Sequence, residues 1–468
     1  MDNPIDTGNT AWMLAASAMV LFMTPGLGFF YGGLTRNKNV LATIMQSFIA
    51  TGVVAILWVV VGYSLAFGPD AGHGLIGNLD WVGLKGVGQA PGGPNGSVYG
   101  LGVPHLVFMA FQMMFAIITP ALITGAFAER AKFGPFLVFI ALWSLFVYVP
   151  VAHWVFAYDG WLSAFSTHTD LPGRGPNMGL NGLDFAGGMA IHVNAGVAAL
   201  AAVFLFGKRK GYGSIPMEPH DITMVVLGAA ILWFGWFGFN AGSAGGASGQ
   251  AVTAFVNTNV AAATAGLTWT LLSWRISGKP SVVGAAAGAV AGLVAITPAS
   301  GYVQPMEAIA IGAGAGSICF MAVRLRAKLG FDDSLDVVGV HGVGGVWGAI
   351  ATGIFATATV SRAALGYDAN GLLHGNPQQL WDQSVGVVVI GAYSFIMTFI
   401  LLKVLDYVWG IRVSEDDEEL GLDITQHGER AYANDDGGVP MVPGTILPAP
   451  SASYAAETSR RVAQEVSR

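Results

Sequence analysis

Charge is what this sequence has least of. Asp, Glu, Lys and Arg make up 10% of its 468 residues, where an ordinary soluble domain carries about a quarter. That scarcity excludes a conventional soluble domain. With 53% hydrophobic residues and a mean hydropathy of +0.59, it points to a chain that crosses a bilayer many times. Basic residues are few and dispersed over short loops, and the formal net charge is −7, so no nucleic-acid surface is expected. Cysteine is nearly absent. The single Cys319 lies in an apolar run, forms no internal disulfide and reads as packing. A basic region ahead of the first apolar segment is also missing, because the start MDNPIDTGNT is acidic. That start is therefore expected not to be a cleaved signal peptide, and the first span is expected to be retained.

What is abundant is apolar sequence in runs of about 20 residues, the length of a membrane span. Eleven such runs are present, at about 10–33, 39–67, 104–127, 134–157, 181–206, 221–243, 251–274, 281–298, 303–323, 336–357 and 380–409. An odd number places the termini on opposite sides. Alternate loops carry Arg36, Lys38, Arg130, Lys132, Lys208, Arg209, Lys210, Arg275, Lys279, Arg324, Arg326 and Lys328, twelve in all, against three in the other set, Lys85, Arg174 and Arg362. Lys and Arg collect in cytoplasmic loops, so the amino terminus is expected outside and the carboxyl terminus in the cytoplasm. The fold class expected is an all-α integral membrane protein of eleven transmembrane helices. Ten of them form a 5+5 inverted repeat, and one is additional.

Two stretches place ionisable groups inside this apolar frame. Asp184-Phe-Ala-Gly-Gly-Met-Ala-Ile-His192-Val-Asn-Ala-Gly196 sets a carboxylate and an imidazole eight residues apart, about two helical turns and on about the same face. Asp336-Val-Val-Gly-Val-His341-Gly-Val-Gly-Gly345 repeats the pairing in the tenth run. An ionisable group within a span is costly and marks a path for something polar. Equivalent spans of inverted halves approach near the midplane, so His192 and His341 are expected to meet inside one pore. A lone histidine on an apolar helix is more often a satisfied core residue, but the repetition argues for transport. A metal site needs three or four ligands, and these spans offer no Cys, Glu or third His. No serine is placed as a nucleophile beside either histidine. Neither a cofactor nor an enzyme is expected.

Aromatic residues recur at helical spacing. The third run holds Phe111-Gln-Met-Met-Phe115, and the sixth holds Trp233-Phe-Gly-Trp236-Phe-Gly-Phe239-Asn-Ala-Gly-Ser243. Such rings are commonly packing, yet ring faces also attract cations where water is scarce, and Ser243 adds a hydroxyl four residues beyond Phe239. Glycines recur every fourth residue at Gly284, Gly288 and Gly292, and again at Gly344 and Gly348, with Gly312, Gly314 and Gly316 in the ninth run. Close helix packing is the reading for nearly all of them. The loop from Gly68 to Gly102 is expected to form a lid or rim on the outer side. Residues 411–433 form an acidic, soluble segment with room for a docked regulatory role, and 434–468 have the composition of a disordered tail.

The strings FYGGLTRNKNVL, AFAERAKFGPFLVF, DFAGGMAIHVNAG, GWFGFNAGSAG, GLVAITPASGYV, DVVGVHGVGGVWG and GLDITQHGERAY resemble those of the ammonium transporter, methylammonium permease and Rhesus protein family, most closely its bacterial ammonium transporters. The likeness runs from about residue 10 to 433. It implies a homotrimer of eleven-helix protomers in the inner (plasma) membrane, with residues 1–410 as the transport domain. By the same likeness His192 and His341 line the pore as a hydrogen-bonded pair, with Trp236 in its wall. Phe115 and Phe239 would be the stacked gate, while Phe111 and Ser243 would recruit ammonium. Asp184 would shape the vestibule and favour the cation, and Asp336 would do a comparable structural job at the inner end of the tenth span. Where the family carries a vestibule tryptophan this chain has Phe156, so Trp154, Tyr158 or Trp161 is a candidate for the missing ring. The GLDITQHGERAY segment implies a PII-type signal protein as partner at the cytoplasmic face.

Physical reasoning about selectivity converges on the same substrate. A dry pore offers nothing to replace the water of potassium or sodium. Ammonium, unlike potassium, can shed a proton and pass as ammonia, with or without that proton following along the histidines, and methylammonium is a further candidate. Two other functions stay open from sequence: a sensor that uses the same pore fold with the acidic segment as output, and a membrane enzyme using the histidines with a metal.

Overall fold

The computed structural model describes residues 5–91, 102–164 and 180–432. Arg174, part of the Gly68–Gly102 loop and the 434–468 tail lie outside the described residues. Among the described residues the regular elements are helices, and extended pairing is limited to isolated bridges such as Ser163 with Gly182. Each of the eleven apolar runs holds one long helix. They are α1 (Thr7–Leu34), α2 (Asn37–Phe67), α3 (His105–Phe127), α4 (Phe133–Phe156), α5 (Gly188–Phe206), α6 (Ile222–Gly242), α7 (Gly249–Ser277), α8 (Val282–Ile296), α9 (Pro305–Leu329), α10 (Val338–Phe355) and α11 (Pro377–Trp409). All but α7 and α8, nine among the described residues, are long and apolar enough to cross a membrane.

The two exceptions explain each other. Helix α8 has 15 residues, about 22 Å of rise, shorter than a hydrocarbon core of about 30 Å. After Ile296 the chain continues as buried turns through 297–303, and non-helical backbone at that depth must find protein partners. Helix α7 supplies them. Asn257 Nδ2 donates to the carbonyls of Ser300 (2.8 Å) and Val303 (2.7 Å), and Gln250 Nε2 donates to Gly301 (3.1 Å). Part of the polarity that keeps α7 off a hydropathy scale, Gln250 and Asn257, closes those turns.

Helix starts are capped by side chains suited to it. Asp6 accepts from Asn9 N (2.8 Å), Asp221 from Met224 N (2.9 Å) and Ser281 from Gly284 N (3.0 Å). The fourfold glycine pattern is a packing device. A Cβ at Gly292 would sit 2.5 Å from the Ala261 carbonyl oxygen, and one at Gly316 would sit 2.6 Å from that of Ala265, so α8 and α9 lie directly on α7. Outward, Leu14, Phe22, Phe48, Ile56, Val388 and Ile396 are exposed, a greasy exterior that water alone would not tolerate. On α11, exposed Trp381 and Trp409 are about 40 Å apart along the axis, the depth of a bilayer with its interfaces.

The loops after α1, α3, α5 and α9 meet on one face, as their shared basic character requires. Glu129 accepts from Arg36 N and Nε, both at 2.7 Å, while Asp332 takes Arg209 through Nε (2.9 Å) and Nη2 (2.8 Å). Burial pushes the Glu129 carboxyl up, but the Arg209 and Arg36 guanidiniums more than offset it and hold the group below its usual range. Asp332 is held low against burial in the same way, by its hydrogen bonds and charge contact with Arg209. The acidic segment is docked there, not merely solvated. Its helices α12 (Glu415–Leu420) and α13 (Leu422–His427) are pinned where Glu418 accepts from Lys210 N (2.6 Å) and Arg412 (2.7 Å). Asp423 accepts from Ala42 N (2.9 Å).

Candidate twin-histidine site

Both histidines lie in π-helical turns at the start of their helices, His192 within Gly188–Val193 and His341 within Val338–Gly342. A π-turn widens the helix by one residue and re-aims a side chain, which is why such turns gather at functional sites. Helices α5 and α10 cross at Gly196 and Gly342, where a Cβ on Gly196 would collide with the Gly342 Cα and N. That approach brings the rings together. His192 Nδ1 and His341 Nδ1 are 3.2 Å apart, with ring planes inclined by 22° and exposures of 1% and 2%. One proton serves this contact, so one Nδ1 donates, the other accepts, and at least one ring is neutral. His192 Nε2 is buried with no protein partner, an open polar valence in an apolar enclosure.

Aromatic rings continue from the pair. Trp236 stacks on His192 at 5.4 Å and 19°, held by its Nε1 donating to Thr297 Oγ1 at 2.9 Å. Phe239 lies 6.1 Å from His192, Phe115 lies 4.5 Å from Phe239, and Phe111 lies 4.8 Å from Phe115. All three phenylalanines are buried. The expected stack of Phe115 on Phe239 is instead a tilted contact at 51°, because each ring also packs on a neighbour of its own, Phe111 or Trp236. Ser243 is half-buried and its Oγ donates to Phe239 O at 2.8 Å. Phe111 reaches the same end of α6, since its ring lies 2.8 Å from where a Gly242 Cβ would be.

Two expectations are corrected. Asp184 is not on a helical face with His192, because α5 begins only at Gly188. Its carboxylate caps that start, accepting from Gly187 N (3.1 Å), Gly188 N (2.5 Å), Met189 N (2.8 Å) and Ala190 N (3.0 Å). Four donors fill the acceptor directions of a carboxylate, so Asp184 has none left for a cation. The acid that meets the start of α10 as Asp184 meets that of α5 is Asp333, not Asp336. Asp333 is fully buried and accepts from Val338 N at 2.7 Å, whereas Asp336 pairs with Arg326 Nε at 3.0 Å. The signal is present in the sequence: Asp333 precedes His341 by eight residues, as Asp184 precedes His192. Phe156 is half-buried and packs against both the apolar cluster that holds Phe111 and Phe115 and the one that holds Trp154 and Trp161. The Trp154 ring is itself occupied by Trp161 (5.7 Å) and Tyr393 (4.8 Å).

Sequence reasoning also missed Thr297, which orients Trp236, and Asn194, whose carbonyl accepts from Ser394 Oγ at 2.7 Å. Among the described residues no three His, Cys, Asp or Glu side chains are grouped to hold a metal ion.

Comparison with known proteins places this geometry in a family. The profile of the Ammonium Transporter Family matches residues 11–432. An ammonium transporter of Bacillus subtilis is 47% identical over 426 residues, which is 91% of this chain and 98% of that one. The crystal structure of Candida albicans Mep2 superposes with a TM-score of 0.80 at 39% identity, covering 93% of each chain. A solved protein named Sensor Amt Protein superposes with a TM-score of 0.77 at 29% identity, covering 90% of this chain and 98% of its own. This chain, with its paired histidines beneath a column of aromatic rings, belongs to the ammonium transporter family.

Proposed function

We propose that the protein transports ammonium across the inner (plasma) membrane. The carrying observation is the 3.2 Å contact between His192 and His341 beside the Trp236, Phe239 and Phe115 column. Ammonium is recruited at the outer end by the Phe111 ring and Ser243, assisted by the field of Asp184 acting through the helix start that it caps. Phe156 offers a weaker ring face than tryptophan would, so the outer site binds the cation less tightly than a tryptophan site. The cation loses its proton near Phe115 and Phe239. Ammonia then passes the histidines, where the open Nε2 of His192 offers a hydrogen bond that replaces one to water.

All eleven long helices cross the bilayer, with the amino terminus outside and the docked segment in the cytoplasm. Ten of them form two inverted sets of five, which accounts for matching π-turns and matching acids at α5 and α10. Residues 1–410 are the transport unit of a homotrimer. Residues 411–433 are the regulatory segment, where a PII-type signal protein docks against the Glu418 and Arg412 contacts, and 434–468 are a tail. The function is tested with purified protein in liposomes: an inward ammonium gradient drives uptake in the wild type, and His192→Ala and His341→Ala each abolish uptake or its selectivity. Wild-type behaviour in both variants would refute the role of the pair. A sensor is the second reading, favoured by the likeness to the protein named Sensor Amt Protein. Binding of ammonium without flux would select it.

A further inference from the structure

Residues 181–185, which carry Asp184 to the start of α5, run as an extended segment at membrane depth. Their backbone groups need partners that no helix of their own supplies. On one side Gly182 N donates to Leu162 O at 2.9 Å, and Phe185 N donates to Pro298 O at 3.1 Å. On the other side the partners are side chains from the first two turns of α11. Asn181 N donates to Asp382 Oδ2 (3.1 Å), and Asn181 O accepts from Gln379 Nε2 (2.6 Å). Leu183 N donates to Gln383 Oε1 (2.7 Å), and Leu183 O accepts from Gln383 Nε2 (2.8 Å). One amide thus satisfies both polar groups of the residue before Asp184, as a neighbouring strand would. Its second N–H reaches Ala349 O of α10 at 3.0 Å, tying the segment to the helix that bears His341. Gln379, Asp382 and Gln383 are all at most 3% exposed, so these bonds form without competing water.

We propose that Gln383, backed by Gln379 and Asp382, is a positioning residue of the transport path. It fixes the backbone of Leu183, which fixes Asp184, and the four N–H bonds to Asp184 fix the π-turn that aims His192. This gives α11, the helix left over from the two sets of five, a defined task as a splint. Further along, Ser394 on the same buried stripe holds Asn194 O, two residues beyond His192. The proposal rests on the transport reading above, and its test separates the two.

The full-length protein is reconstituted in phosphatidylethanolamine and phosphatidylglycerol liposomes, and ammonium uptake is measured against concentration. Gln383→Leu removes both halves of the clamp at similar volume. The half-saturating concentration is expected to rise about five-fold while maximal flux changes less than about two-fold. Gln379→Met is expected to move the same way by about two-fold. On an Asp184→Asn background the Gln383→Leu change is expected to add nothing, because both act through one element. Unchanged half-saturation in both glutamine variants, or effects that multiply in the double variant, would overturn the proposal. Hydrogen exchange on the same variants is a second measurement that does not depend on flux. Amides of 183 and 187–190 are expected to exchange faster in Gln383→Leu while those of 343–355 stay protected, and equal protection throughout would overturn it. A wild-type protein without flux would instead sink the transport reading.

Discussion

The crossing of α5 and α10 gives the sharpest perturbation. Gly196 has no room for a side chain: besides the clash with Gly342, a Cβ there would sit 3.0 Å from the His341 carbonyl carbon. Carbon atoms rest at about 3.5–4.0 Å, so Gly196→Ala must push the two helices apart by roughly 1 Å. The histidine contact is already 3.2 Å, near the outer limit for a hydrogen bond, and that displacement breaks it. Overpacking of this kind costs about 1–3 kcal/mol, and a misplacement of about 1 Å in a working site can cost as much as a hundred-fold. Thermal unfolding in detergent and ammonium uptake in liposomes are both expected to fall. Gly52 is the control, because it is helical and nothing lies within 4 Å of its Cβ position. Gly52→Ala should be neutral or stabilising by up to about 1 kcal/mol. If Gly196→Ala keeps wild-type stability and uptake, the histidines do not depend on that crossing and the account of the site is wrong.

Asp333→Ala should lower stability by about 1 kcal/mol through loss of the α10 cap, and Asp336→Ala by less, because its partner Arg326 is part-exposed; thermal melts showing the reverse order would return the capping role to Asp336. Glu129 and Asp332 have carboxyls held below their usual range in the folded protein, so their contribution to stability is complete above about pH 4 and is lost as pH falls through the folded values. Melting temperature against pH should therefore drop on the acid side, and Glu129→Gln should lower the plateau and flatten that drop. An unchanged acid limb would mean the pair contributes nothing.

Much of the architecture is legible in the sequence because a membrane span is a composition signal over some twenty residues, and each expected run holds a helix. The departures arise where backbone leaves the helix inside the apolar region. No hydropathy pattern shows that α5 begins at Gly188 and not near 181, or that α8 stops at Ile296, because the intervening residues are as buried as the helices. The histidine pairing is readable from an ionisable residue repeated in equivalent runs. The π-turns that aim both rings are not, since they depend on where Asp184 and Asp333 collect backbone N–H groups. Asp336 stands nearer the apolar run than Asp333 does, and that nearness hides the eight-residue spacing to histidine that Asp333 shares with Asp184. Gln379 and Gln383 of α11 stand four apart on one helical face, but nothing in that spacing shows what they hold, because their partners lie about 200 residues away in the chain.

The central claim is that a cation is recognised at the rings and crosses the histidine pair after losing its proton. Its most direct test is uptake in liposomes bearing the wild-type protein, with ammonium and potassium offered in parallel at equal gradients and His192→Ala alongside. Ammonium uptake without potassium uptake, and loss of that discrimination in the variant, is the predicted result. Potassium passing the wild-type protein as readily as ammonium would contradict it.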